Sequence, residues 1–283
     1  MTKEIKVLKF SSVSKTYNEN IVAVDNVSLD IPKGEFCVIL GPSGAGKSTL
    51  LRLANGMSMP KEGSVEFDGK KVNKKNLKFI QHRIGMIHQQ LHLVQRLSVL
   101  NNVLSGTLPL VSTWLCMFRI FSVQYKRKAC SLLEQVELEE EHLYRRASHL
   151  SGGQQQRVAI ARSFILDPDL VLADEPVASL DPVISRSILS LLKKASRQHN
   201  STVLCSLHQV EYALEIADRI IGLQKGRIVF DGAPEELTAD VLGMIYDSVP
   251  GTENESMVKE SFSDLILRRT LLDPAVKVEM LVS

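Results

Sequence analysis

Two stretches of this chain combine residue types that together suit phosphate chemistry. Residues Gly41-Pro42-Ser43-Gly44-Ala45-Gly46-Lys47-Ser48-Thr49 follow the spacing G-x-x-x-x-G-K-[ST]. Glycines at those positions let the backbone curl until successive N–H groups face one anion, and a helix that follows turns its unpaired amides and positive dipole end on the same group. Lys47 is then placed to reach the β- and γ-phosphates of ATP, and Ser48 to ligate Mg2+. The second stretch, Leu170-Val171-Leu172-Ala173-Asp174-Glu175, ends an apolar run in adjacent carboxylates. Beside such a loop, Asp174 suits the magnesium shell, reached through water, and Glu175 suits the general base that polarises the attacking water. Alone, the first stretch could be a glycine-rich turn with an incidental lysine, and the second a surface or capping pair. Their joint presence points to ATP hydrolysis.

These groups need a scaffold that brings distant stretches to one edge. Short β-like runs stand at Ile5 to Phe10, Val27 to Ile31 and Phe36 to Leu40. The last is apolar throughout and feeds the glycine-rich loop and then a helical pattern through Leu50, Leu51 and Leu53, so it reads as a buried strand ahead of a helix. Leu170 to Ala173 and Thr202 to Ser206 repeat that order, which predicts an α/β fold with a mixed sheet and a parallel nucleotide-binding core. From Arg83 to Leu166 the spacing turns helical, notably at Tyr125 to Val136 and Gln154 to Leu166, with few strand signals. We expect a helical subdomain at about 84–166, inserted in a domain spanning 1–249. Past Val249 a Pro-Gly-Thr-Glu-Asn run reads as a linker. The tail 250–283 carries Val258, Phe262, Leu265 and Ile266 at helical spacing, as in an amphipathic helix packed on the body or on a partner.

The formal charge of +2, from 34 basic and 32 acidic residues, gives no general attraction to nucleic acid or anionic lipid. The lysines at 70, 71, 74, 75 and 78 lack interleaved aromatics for base stacking and read as a solvated face. The longest membrane-span candidate, Leu108 to Phe121, falls short of the ~18 apolar residues a spanning helix needs. A role in a membrane process would therefore require docking onto other, spanning subunits. Cys37, Cys116, Cys130 and Cys205 show no CxxC spacing and suit reduced, packed thiols in a cytoplasmic protein.

Between the two phosphate stretches lies Leu150-Ser151-Gly152-Gly153-Gln154-Gln155-Gln156-Arg157, and with it the chain resembles the ATPase subunits of ABC transporters. The resemblance covers about residues 5 to 245 and implies a P-loop core with an antiparallel β subdomain and an inserted α-helical subdomain. It also implies that Ser151 and the amides of Gly152 and Gly153 bind the γ-phosphate of ATP held by a second copy of the chain. A Ser-Gly-Gly helix start is an anion site on physical grounds too. Tyr17 stands where the family stacks an aromatic ring on adenine. Gln89 stands where a glutamine touches Mg2+ or the water and links the core to the helical subdomain; Gln90, directly after it, is the alternative. Asp181, in Ser179-Leu180-Asp181-Pro182, matches the loop that crosses the dimer interface, and His208 matches the histidine that contacts the γ-phosphate. His88 departs from the aromatic or apolar residue common before the glutamine.

Longer strings, at Gln89 to Leu100, Trp114 to Phe121, Pro176 to Pro182 and Leu207 to Ala213, are similar to those of phosphonate importer ATPases. The resemblance implies a homodimer on the cytoplasmic face of the inner membrane, bound to permease subunits and served indirectly by a solute-binding protein. The solute would be a phosphonate, phosphite or a related phosphorus oxyanion. An exporter or lipid-handling ATPase, or a soluble ATPase of the same class, would share the motor; one P-loop and no heptad run distinguish this chain from the soluble kind.

Overall fold

The computed structural model of the chain describes residues 6–17, 21–110 and 121–246. Along the first stretch, side chains alternate between buried and exposed in Lys6–Tyr17 (β1) and Ile21–Pro32 (β2), which is the pattern of strands with one face on a core. With Glu62–Phe67 (β4) and Lys70–Lys71 (β5) they form an antiparallel sheet of order β2-β1-β4-β5.

Other strands have no polar face to offer. Phe36–Leu40 (β3), Leu170–Asp174 (β7) and Thr202–Leu207 (β8) are buried along their whole length. They occupy the middle of a second sheet completed by Ile84–Ile87 (β6), Arg219–Gln224 (β9) and Arg227–Gly232 (β10), in the order β10-β9-β3-β8-β7-β6. All neighbours there pair in parallel except β9 and β10. Parallel strands need covering on both faces. One face lies against the antiparallel sheet and the helix Lys47–Ala54, where Cys37 and Ile39 meet Leu8, Val24, Leu50 and Phe67. The other lies under helices, where Phe36, Val38 and Leu40 join a core with Val103, Leu132, Phe164 and Ile188.

The described part of the helical section contains Val99–Leu104, Val123–Gln135 and Gly152–Phe164, which pack on one another. Its onset differs from the expectation: β6 stands at Ile84–Ile87 inside the main sheet, so helices take over only after it. The run is short and broken by Gly85. A Cβ at Gly85 would come within 2.4 Å of the Ser163 carbonyl oxygen, so a glycine is what lets the Gly152–Phe164 helix lie this close. Cys37 and Cys205 are buried as expected, and burial pushes both thiols up. Among the described residues no helix is long and apolar enough to cross a membrane. The tail 250–283, the segment from Trp114 to Ile120 and Cys116 lie outside the described residues.

Candidate functional site

The glycine-rich loop runs from the end of β3 into the Lys47–Ala54 helix. Two glycines are required by close approach. A Cβ at Gly46, where φ is 105°, would sit 2.1 Å from the Ala23 carbonyl oxygen, and one at Gly41 would sit 2.2 Å from that of Leu223. The loop is thus wedged between β2 and β9, with Gly44 open to its surroundings at φ 80°.

Lys47 is buried, and its ammonium turns back on the loop, donating to the carbonyl oxygens of Gly41 at 2.8 Å and Pro42 at 3.0 Å. Burial holds its pKa below the ordinary lysine value, although Glu175 and Asp174 oppose the shift. Its Nζ stands 3.8 Å from Glu175 Oε1 and 3.4 Å from His208 Nδ1. Ser48 Oγ donates to Asp174 Oδ1 at 2.8 Å.

The carboxylates reach this loop because β7 lies two strands from β3, with β8 between them. In that register Asp174 stands opposite Ser206. The Ser206 hydroxyl donates to Asp174 Oδ1 at 2.9 Å and accepts the Glu175 N–H at 3.0 Å, so one side chain orients both acids. Glu175 itself sits at φ 47°, a left-handed conformation that a non-glycine residue holds only where its surroundings fix it. Its carboxylate pairs with His208 Nε2, and Gln89 Nε2 donates to its Oε2 at 3.2 Å. The His208 carbonyl accepts the Tyr246 hydroxyl at 2.8 Å, and burial pushes that phenol up to about 12. Ser206 and Tyr246 were not legible as site residues, since neither follows a motif; the strand register was the signal needed for Ser206.

The structure therefore brings Lys47, Ser48, Gln89, Asp174, Glu175 and His208 into one contact network. Gln89, rather than its neighbour Gln90, makes the contact to Glu175. Tyr17, half-buried at the end of β1, lies beside the loop. Burial pushes its phenol up, but hydrogen bonding to Ser58 and Thr49 and the charges of Lys15 and Arg52 hold it below its ordinary value. Lys15 Nζ lies 5.2 Å from the ring centroid.

Other expected residues stay apart from this network. Ser151 caps the Gly152–Phe164 helix, and a reciprocal capping box joins it to Gln154. Ser151 and Gly152 are exposed, and the Ser151 hydrogen bonds are local. Asp181 caps Pro182–Gln198 by accepting from Val183 N and Ile184 N, with Pro182 at the first helical turn. The two helices meet at their starts: a Cβ at Gly153 would lie 2.9 Å from an Ile184 methyl.

A glycine-rich loop after β3, an acid pair at the end of β7 and a separate, capped Ser-Gly-Gly helix start are the arrangement of a P-loop ATPase of the ABC type. The ABC transporter family model matches residues 24–178, and the chain belongs to that family and carries its ATP-binding domain. It is 54% identical over 241 residues to the phosphonates import ATP-binding protein of Hydrogenovibrio crunogenus, covering 85% of this chain and 89% of that one. A second phosphonates import ATP-binding protein, from Trichodesmium erythraeum, is 43% identical over 89% of this chain and 97% of its own. Among solved structures, a dimeric ATP-binding cassette in a post-hydrolysis state with ADP and Pi superposes with a TM-score of 0.69 at 36% identity. The match covers 81% of this chain and all (100%) of that one.

Proposed function

We propose that this chain is the ATP-hydrolysing subunit of an importer for phosphonates, phosphite or a related phosphorus oxyanion. The observation that carries the reading is the 54% identity to a phosphonates import ATP-binding protein across nearly the whole of both chains, with the phosphate-site residues gathered in one place. Lys47 holds the β- and γ-phosphates, exchanging its loop carbonyls for phosphate oxygens. Glu175 takes the proton of the attacking water, with Gln89 and His208 orienting that carboxylate and the water. The oxygens of Ser48, Asp174 and Gln89 make a hard donor set that fits Mg2+, which when bound neutralises phosphate charge. Tyr17 offers the face for adenine.

Ser151, Gly152 and Gly153 complete the site of a second copy, with Asp181 at the same interface; the exposure of Ser151, Gly152 and Asp181 and their separation from the Lys47 network support that arrangement. An isolated subunit then binds ATP and hydrolyses it poorly. Domain 1–249, with its helical subdomain running from after β6 to about 166, works at the cytoplasmic face of the inner membrane, bound to permease subunits supplied by a solute-binding protein. A cleft of about 430 Å3 between β6 and the helical section, lined in part by Met86, His88, His92, Leu108 and Arg162, opens beside Gln89 and is the surface we assign to the permease.

Growth with a phosphonate or phosphite as sole phosphorus source, compared between a strain carrying the gene and its deletion, tests the substrate. Loss of growth supports the assignment. Unchanged uptake of every phosphorus compound, with loss of an unrelated solute, overturns the substrate and leaves the ATPase standing.

A further inference from the structure

The helix start at Ser151 is held from outside by a buried histidine. His142 ends the short turn Glu140–His142 and is only 6% exposed. Its Nε2 lies 3.1 Å from Nε2 of Gln154. The Gln154 amide cannot turn round, because its Oε1 accepts the Ser151 N–H at 2.9 Å as half of the capping box. The amide nitrogen must therefore donate, His142 Nε2 must accept, and the ring proton must sit on Nδ1. Nδ1 is buried without a hydrogen-bond partner, 3.7 Å from Glu139 Oε2. On the other side of the ring, Glu141 Oε1 stands 3.9 Å from Nε2 and pairs with Arg145 at 3.0 Å.

We propose that His142, accepting through Nε2, is a positioning residue for the Ser151-Gly152-Gly153 start. The proposal rests on the reading that this start engages the nucleotide of a second copy. The chain of contacts has a fixed direction. The imidazole lone pair fixes the Gln154 amide, the amide oxygen fixes the Ser151 N–H, and the cap fixes where the serine hydroxyl and glycine amides point. Without that lone pair, Gln154 is free to swing away and leave the Ser151 N–H without its acceptor. Glu139, Glu141 and His142 could also be taken for a cation cluster. Arg145 already occupies Glu141, and Gln154 already uses the ring's free lone pair, so the positioning role is the one the contacts favour.

The test uses the full chain in a Glu175→Gln background, where ATP holds dimers together, read by analytical ultracentrifugation with Mg2+-ATP. His142→Leu should raise the ATP concentration for half-dimerisation about five- to tenfold, the size of one buried hydrogen bond. Nucleotide affinity of the single subunit should not change. His142→Gln, whose amide oxygen takes the place of Nε2, should restore dimerisation. Ser151→Arg, which blocks the helix start itself, separates the two ideas. If Ser151→Arg prevents dimers and His142→Leu does not weaken them, the positioning role is overturned and the sandwich reading stands. If neither matters, the sandwich reading fails and takes the inference with it. Should His142→Leu not fold, Gln154→Leu, which removes the contact between His142 and Ser151, decides: undiminished dimerisation overturns the proposal.

Discussion

The Lys47 network and the Ser151 helix start both suit phosphate, yet they are built in opposite ways. The first centres on the buried Lys47 and Asp174 and is assembled across the sheet, from residues as far apart in the chain as Ser48, Asp174 and His208. The second is assembled within a few residues, from an exposed serine and glycine, a buried glycine and a half-buried glutamine. The network is strained and crowded, with a left-handed Glu175 and a lysine folded onto its own loop. The helix start is relaxed and capped. A site that must do chemistry needs groups fixed against one another before substrate arrives. A site that must close on a partner's ligand needs only to be well formed and accessible.

Substitutions should separate the two. Lys47→Ala is expected to abolish ATP hydrolysis and weaken nucleotide binding, since it removes the fixed cation facing the β- and γ-phosphates. Wild-type-like ATPase in the assembled transporter would count against the loop assignment. Glu175→Gln should slow hydrolysis by a factor on the order of 10² or more while leaving ATP binding intact, because the amide fills the space but cannot take a proton. Size-exclusion chromatography with ATP and Mg2+ should show a locked dimer, and a persistent monomer would break either the base or the sandwich.

Ser206→Ala tests whether the network depends on residues that touch no substrate. It strips Asp174 of a donor and leaves the Glu175 N–H without its acceptor, which should cost about 1–3 kcal/mol in thermal or urea unfolding. ATPase activity should fall about tenfold if that strain relaxes Glu175, as one lost positioning contact implies; full activity would show that β7 alone sets the acids. The smallest effect on the isolated subunit belongs to Ser151→Ala. Losing the cap should cost about 1 kcal/mol of stability. Isothermal titration should find its nucleotide affinity unchanged, and a change would mean that the two regions meet within one copy.

The same contrast decides what could be read in the sequence. The loop, the paired acids and the capped Ser-Gly-Gly start are local patterns; β3 and Leu170 to Ala173 of β7 are uninterrupted apolar runs, and β8 is a short run rich in β-forming residues. Ser206 was hidden because its importance comes from standing opposite Asp174, and strand order is a long-range property. His142 was hidden for the same reason, since its partner Gln154 lies on another element. β6 was masked by its brevity and its glycine, which only make sense once the helix above Gly85 is in place. β10, the part-exposed edge strand, and its neighbour β9, buried between polar ends, were not expected either.

Strand β3 has a further consequence for how the molecule comes apart. Its odd and even residues belong to different cores, so it is a wall shared by both layers. Neither layer can open at β3 without stripping cover from the other, and heating should melt both in a single cooperative transition. Amide protons of Cys37 to Leu40, on a strand paired with β8 on one side and β9 on the other, should exchange only through global unfolding. The glycine-rich loop begins where that strand ends. Its hinge at Gly41 is therefore anchored in the slowest-exchanging segment of the chain, and nucleotide arrival can reshape the loop without loosening its root.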